Sequence, residues 1–328
     1  MDLTLFPKVE LHIHLDCSLS YEVVKEIDPS ISRETYLRNF VGPVQCHDLL
    51  EYLRYAEAGI AMMQTADQLR LVTLDFMRQM QEDGVIYVEI RFAPLEHTRQ
   101  GLTPEKVIES VASAMRQGEM EFGVSAGLIL CTLRHYQEKD SLRVAQLAHA
   151  FMGHGVVGFD MAGDEPNYPI DPHIAAFQFA RGNGVPCTCH AGEARGADSV
   201  SEVLDHLQPE RIGHGVRSSE DPALTQRLVK ENIHLEVCPS SNVQTHVYEN
   251  ITQHQIDQLY KKGVSLSINT DSRAICQTTL SREFKLMIST FDWGIKDLQK
   301  CTYRAIDHAF TSEANKQRLH RLISDYKL

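Results

Sequence analysis

The chain has 328 residues, 43% of them apolar and 23% charged, which excludes disordered and fibrous classes and suffices to bury a core without disulfide or metal staples. Lys and Arg total 32 against 44 Asp and Glu, a formal charge of −12, and no basic run exceeds Lys261–Lys262, so no nucleic-acid partner is expected. No apolar window reaches membrane-spanning length, the start MDLTLFPKVE lacks the basic and apolar segments of a secretory signal, and the eight Cys form no CxxC pair; the expectation is a cytoplasmic protein with reduced thiols and no membrane partner.

In chain order, eight short apolar runs read as strands: Val9–His14, Val85–Phe92, Val124–Leu133, Val156–Met161, Val185–His190, Arg211–His214, Ile233–Cys238 and Val264–Thr270. Most are near-continuous and rich in Val and Ile, as strands buried on both faces of a parallel sheet are. Helical-period segments lie between them, at Thr103–Phe122, Ser141–Gly153, Asp198–Leu207 and Asp221–Glu231. The alternation predicts an α/β protein, a (β/α)8 TIM barrel, with an open doubly wound sheet as the competing arrangement. About 70 residues, 15–84, separate the first two strands and carry helical patterns at Cys46–Ala58 and Ala66–Gln81. This is read as a helical insertion capping the active-site face of one domain spanning residues 1–328. Nothing resembling a repeat or a Gly/Ser linker interrupts it.

The chain carries 16 His, and their positions matter more than their number. His12 and His14 are two apart on the first strand, so both face the barrel interior, where two imidazoles can share a metal ion. Alone, an H-x-H pair is more often structural. His190 ends the fifth strand, with Glu193 three residues on; the plain reading is a core histidine and a helix-opening acid. His214 ends the sixth strand, and Asp271 ends the eighth, where Asp often merely caps a helix. Four such strand ends, of strands one, five, six and eight, where barrel active sites lie, outweigh the separate plain readings. His12, His14, His190 and Asp271 offer three nitrogens and one oxygen, a set suited to Zn²⁺ with a position left for water. The fourth strand ends Asp160-Met161-Ala162-Gly163-Asp164-Glu165 without a Lys, which removes a bridging carbamylated lysine and favours one metal over two. His47, His97, His246 and His254 are read as surface residues. Arg217 is read first as a structural ion-pair partner.

VELHIHLD, VVGFDMAGDE, CHAGE, RIGHGVR, VCPSSN and SINTD stand in this order across most of the chain, and together they resemble the motifs of the adenosine deaminase family, zinc aminohydrolases of the amidohydrolase superfamily. The resemblance implies one Zn²⁺ per chain, held by His12, His14, His190 and Asp271. It makes Glu193 the acid that protonates purine N1. His214 becomes the histidine that orients the attacking water and helps deprotonate it. Gly163 would meet purine N3 through its backbone, and Asp16 would bind the ribose 5′-hydroxyl. Two positions depart from the family pattern. Ser272 stands where a second Asp usually meets purine N7, and Cys17 where Gly usually follows the HLD motif. The implied substrate is a purine nucleoside, adenosine or 2′-deoxyadenosine, with a 5′-modified adenosine such as 6-amino-6-deoxyfutalosine, a menaquinone-route intermediate, as the alternative. A non-catalytic metal-binding barrel is the alternative of another class; it would be expected to lose Glu193 or a ligand, and none is lost.

Overall fold

The computed structural model describes residues 2–326. Strand β1 (Lys8–His14) leads into four helices, α1 (Tyr21–Ile27), α2 (Arg33–Asn39), α3 (Leu49–Ala61) and α4 (Ala66–Glu82), before β2 (Val85–Phe92). Then strands and helices alternate: α5 (Pro104–Phe122), β3 (Ser125–Leu133), α6 (Glu138–Ala150), β4 (Val156–Ala162), α7 (Ile174–Gly182), β5 (Thr188–Ala191), α8 (Ala197–His206), β6 (Arg211–His214), α9 (Pro222–Glu231) and β7 (His234–Val237). Helices α10 (Pro239–Gln244) and α11 (Ile256–Lys261) precede β8 (Ser265–Ile268), and α12 (Leu280–Phe291), α13 (Ile295–His308) and α14 (Glu313–Ser324) follow it.

The strands pair in parallel as β1-β2-β3-β4 and β5-β6-β7-β8. Backbone bonds join the two groups at both seams. Phe159 N–H donates to the Pro186 carbonyl at 2.9 Å. On the other side His14 N–H donates to Asp271 O at 2.8 Å and Asp271 N–H to His12 O at 3.0 Å. The eight-stranded (β/α)8 barrel expected from the alternation is therefore what forms, and the open sheet is not.

Local chemistry explains the helix limits. Ser20, Ser32, Asp48 and Thr65 each cap the first free N–H groups of α1 to α4. Thr103 caps α5 ahead of Pro104, and Gly123, at φ 72°, ends it. The segment expected from Ser141 runs instead from Glu138 to Ala150, because Gly153 already lies at φ 78° beyond its end. The barrel interior is not purely apolar. Arg91, Glu89, Asp160, Arg211 and Glu236 are all fully buried, which is tolerable only because each is paired. Among the described residues no helix is long and apolar enough to cross a membrane.

Candidate metal centre and its cavity

The imidazoles are aimed from behind. His12 Nδ1 lies 2.8 Å from Glu236 Oε2, and His190 Nδ1 lies 3.2 Å from Asp160 Oδ1. One buried guanidinium, Arg91, donates to both carboxylates, at 2.9 Å to Asp160 and 2.7 Å to Glu236. Each ring is thus held with Nε2 toward the barrel axis, the arrangement that orients metal-binding histidines. Those inner nitrogens lack ordinary partners. His12 Nε2 is buried without a hydrogen bond, 3.3 Å from Asp271 Oδ1. His14 Nε2 lies 3.2 Å from His190 Nε2 and 3.5 Å from Asp271 Oδ1.

These separations match the edge of a tetrahedron about one small divalent ion, roughly 3.4 Å for bonds of about 2.1 Å. Converging imidazole lone pairs and a carboxylate, with an orphaned buried nitrogen among them, fit a cation. One four-residue grouping has His214 in place of His14: ligand atoms of His12, His190, His214 and Asp271 lie within 4.8 Å of one another. Five groups therefore surround one point. Burial, the largest influence, lowers the His14 imidazole to about 3 and His214 well below its usual value, so both rest neutral. Asp271 is held well below the usual carboxylate range by His12, His214 and His14, against the opposing effect of burial. Its Oδ1 faces the imidazoles, while Oδ2 accepts from Ser241 Oγ at 2.7 Å and Tyr52 O–H at 3.0 Å. Both Asp271 and His214 sit at positive φ, 63° and 59°, strained conformations of the kind that cluster at functional sites.

Glu193 stands beside this centre, its Oε1 3.6 Å from His214 Nε2. Burial, then the negative charges of Asp271 and Glu165, push its carboxyl well above the usual range, against the pull of Arg134. Its loop is clamped by Glu165, a residue the sequence reading passed over. Glu165 Oε1 accepts from Gly192 N–H at 2.7 Å, and Oε2 accepts from the N–H groups of Glu193, Ala194 and Arg195 at 3.1, 2.6 and 2.9 Å. Four successive donors converging on one carboxylate fix the approach of Glu193.

All nine expected residues except His12 line one cavity of about 320 Å³; His12 is buried just beneath its floor. Asp16 is held below the usual carboxylate range because His97 and His14 outweigh its burial. Gly163 turns at φ 105°, leaving its backbone bare to the cavity. Ser272 is buried and also lines the cavity. Tyr52 of α3 also lines the cavity and was not singled out by sequence; an aromatic at helical spacing reads as core.

Two histidines correct the sequence reading. His97 and His254, expected at the surface, are 0% and 3% exposed. His97 lies 3.8 Å from Asp16 and binds the Met63 carbonyl through Nδ1, while His254 Nε2 reaches Asn242 Oδ1 at 3.2 Å. A polar residue type gave no signal that a buried partner awaited it. His47 and His246 are exposed as expected. Arg217 pairs with Glu220 and the Ala194 carbonyl, the structural role first assigned to it.

Comparison with known proteins follows the same lines. The family model described as adenosine deaminase matches residues 7–326. An adenosine deaminase of Enterococcus faecalis is 34% identical over 323 residues, covering 97% of this chain and 96% of that protein. One from Clostridium acetobutylicum is 33% identical, covering 95% and 96%. Among solved structures, an adenine deaminase from Arthrobacter aurescens superposes with a TM-score of 0.90 at 28% identity, covering 97% of this chain and 98% of that one. An Arabidopsis N6-mAMP deaminase shares the fold, with a TM-score of 0.88 at 23% identity over 99% of both chains.

Proposed function

The chain belongs to the adenosine deaminase family, a hydrolase of carbon–nitrogen bonds in purine deamination, and we propose that it holds one Zn²⁺ and converts adenosine or 2′-deoxyadenosine to the inosine product and ammonia. The observation that carries this reading is the convergence of three imidazoles and the Asp271 carboxylate beside a buried Glu193 whose carboxyl is pushed well above its usual range. We assign His12, His14, His190 and Asp271 to the metal, a reading supported by His14 Nε2 lying 3.2 Å from His190 Nε2 and 3.5 Å from Asp271 Oδ1, with His214 set beside them, 3.6 Å from Glu193. When bound, the metal lowers the pKa of water presented to the purine C6. Glu193 donates its proton to N1, which draws charge out of the ring as oxygen adds at C6. His214 orients the attacking water. The bare backbone of Gly163 meets N3, and the Ser272 hydroxyl meets N7 as a neutral partner.

The cavity charges favour a nucleoside over a nucleotide. Its lining includes Asp16, Glu57, Glu96, Asp164, Glu193 and Asp271, and none of the described lining residues is Lys or Arg. Arg99, outside the lining, pairs with Glu57 and Glu96, leaving Asp16 and Asp164 to face an incoming 5′-group. A ribose 5′-hydroxyl donates to Asp16, whereas a phosphate or carboxylate meets like charge, at a cost of several kcal/mol. Steady-state kcat/KM on adenosine, adenine, AMP and 6-amino-6-deoxyfutalosine tests this. Adenosine should exceed AMP and the 5′-carboxylate by about 100-fold or more. AMP, adenine or the carboxylate turned over as well as adenosine would overturn the substrate assignment.

A further inference from the structure

His214 reaches the reaction through Nε2, and its other ring nitrogen is tied into a buried chain that runs through Asn242, the last residue of VCPSSN, to His254, which lies outside the motifs. Asn242 Nδ2 lies 3.1 Å from His214 Nδ1. Asn242 Oδ1 lies 3.2 Å from His254 Nε2. The backbone N–H of Ile256 donates to His254 Nδ1 at 3.0 Å. His214, Asn242 and His254 are 1%, 0% and 3% exposed, so water does not compete for these atoms.

The polarity of the chain is set at its far end. A backbone N–H donates and cannot accept, so His254 Nδ1 must carry a lone pair. Burial alone pushes the His254 imidazole down to about 3, so the ring is neutral and its one proton sits on Nε2. Nε2–H then donates to Asn242, which turns its carbonyl oxygen to His254 and its amide to His214. The amide donates in turn, so His214 Nδ1 must accept. A neutral imidazole whose Nδ1 accepts carries its proton on Nε2. An imidazolium at His214 would set N–H against N–H at Asn242, and reversing the amide would set the Asn242 amide against His254 Nε2–H.

We infer that His214 rests as the Nε2-protonated neutral tautomer, fixed through Asn242 and His254 by the backbone of Ile256, and that it meets the attacking water as a hydrogen-bond donor rather than as the base that takes its proton. Asn242 and His254 are positioning residues in this arrangement. The water proton then passes to a carboxylate facing the same point; Glu193, once it has protonated N1, and Asp271 are the two that do. The inference deepens the proposed function and rests on its assignment of His214.

Imidazole ¹⁵N spectra of the zinc-loaded full chain test it without reference to turnover, with the His214 signals identified by their loss in His214→Gln. The expected pattern is an unprotonated Nδ1 and a protonated Nε2 for both His214 and His254. In Asn242→Asp the carboxylate accepts instead of donating, and the His214 proton should move to Nδ1. A protonated His214 Nδ1 in the wild type overturns the inference, as does an unchanged tautomer in a folded Asn242→Asp protein. Failure of the deaminase reading would show separately, as absence of turnover in a protein whose tautomers are still as stated.

Discussion

A carboxylic acid donates to a purine nitrogen only if it keeps its proton near neutrality. Burial and two neighbouring carboxylates, Asp271 and Glu165, push the Glu193 carboxyl well above its usual range, as the donor role proposed for it requires. Glu193→Gln keeps the shape and removes the transferable proton. We expect kcat to fall by about 10²–10⁴-fold or more with metal content unchanged, read by steady-state kinetics beside metal analysis; retention of most activity would move the donor role elsewhere. At this scale the sequence was most informative where a residue type is rare at a strand end. His12 and His14 fell into place because period-two alternation on a short strand dictates which side chains face inward, and His190, His214 and Asp271 because they stand at or just past strand ends, where barrel sites lie. Tyr52, His97 and His254 did not, because their roles depend on partners more than 30 positions away or on burial that composition does not reveal. Asn242 closes the motif VCPSSN, but the motif gave no sign of which partners its side chain would meet.

Single loops do as much positioning as single residues. The Gly192–Arg195 turn has no regular structure, yet four of its N–H groups end on Glu165. In Glu165→Gln one acceptor becomes a donor facing donors, and hydrogen bonds to a charged group are worth about 1.5–3 kcal/mol each. We expect kcat/KM to drop at least about ten-fold with metal retained. The Glu165 charge also raises the Glu193 pKa, so its removal lowers that pKa. Since Glu193 must be protonated to act, the alkaline limb of the kcat/KM profile should shift to lower pH. A profile that keeps its position would reduce Glu165 to scaffolding. Helix α3 was foreseen as a helix near the active-site face, but α1 and α2, each of seven residues, were too short for periodicity to show. The last three helices were missed for another reason. Once the eighth strand had been found, the barrel pattern made no demand on the residues beyond it, although α13 packs on both β8 and β1.

Across the whole molecule, the barrel closes where β1 meets the end of β8, and a buried acid sits on that seam. Glu10 Oε1 accepts from both N–H and O–H of Thr270, at 2.7 and 2.6 Å, while Oε2 has no partner. Burial raises its carboxyl from 4.5 to about 7, although Arg273 and Thr270 oppose the shift. The folded pKa lies above the unfolded one. The protonated group therefore contributes its full stability below about 4.5, and that contribution is lost as pH rises toward about 7. Glu10→Gln stays neutral throughout. Its Tm relative to wild type should climb between pH 4.5 and 7 and level off above, as measured by calorimetry; a difference flat across that window would mean that Glu10 ionises normally. The paired charges of Arg91, Asp160 and Glu236 behind the imidazoles of His12 and His190 show why the barrel interior is polar at all: this barrel trades apolar filling for fixed imidazoles.

The central claim is one metal ion per chain serving one hydrolytic deamination. Stepwise return of Zn²⁺ to chelator-stripped protein, with adenosine deamination followed at each step, tests it most directly. We expect no turnover without metal, a linear rise, and a break at one equivalent per chain. Full activity in the stripped protein, a break at two equivalents, or no turnover of adenosine at any loading would contradict it.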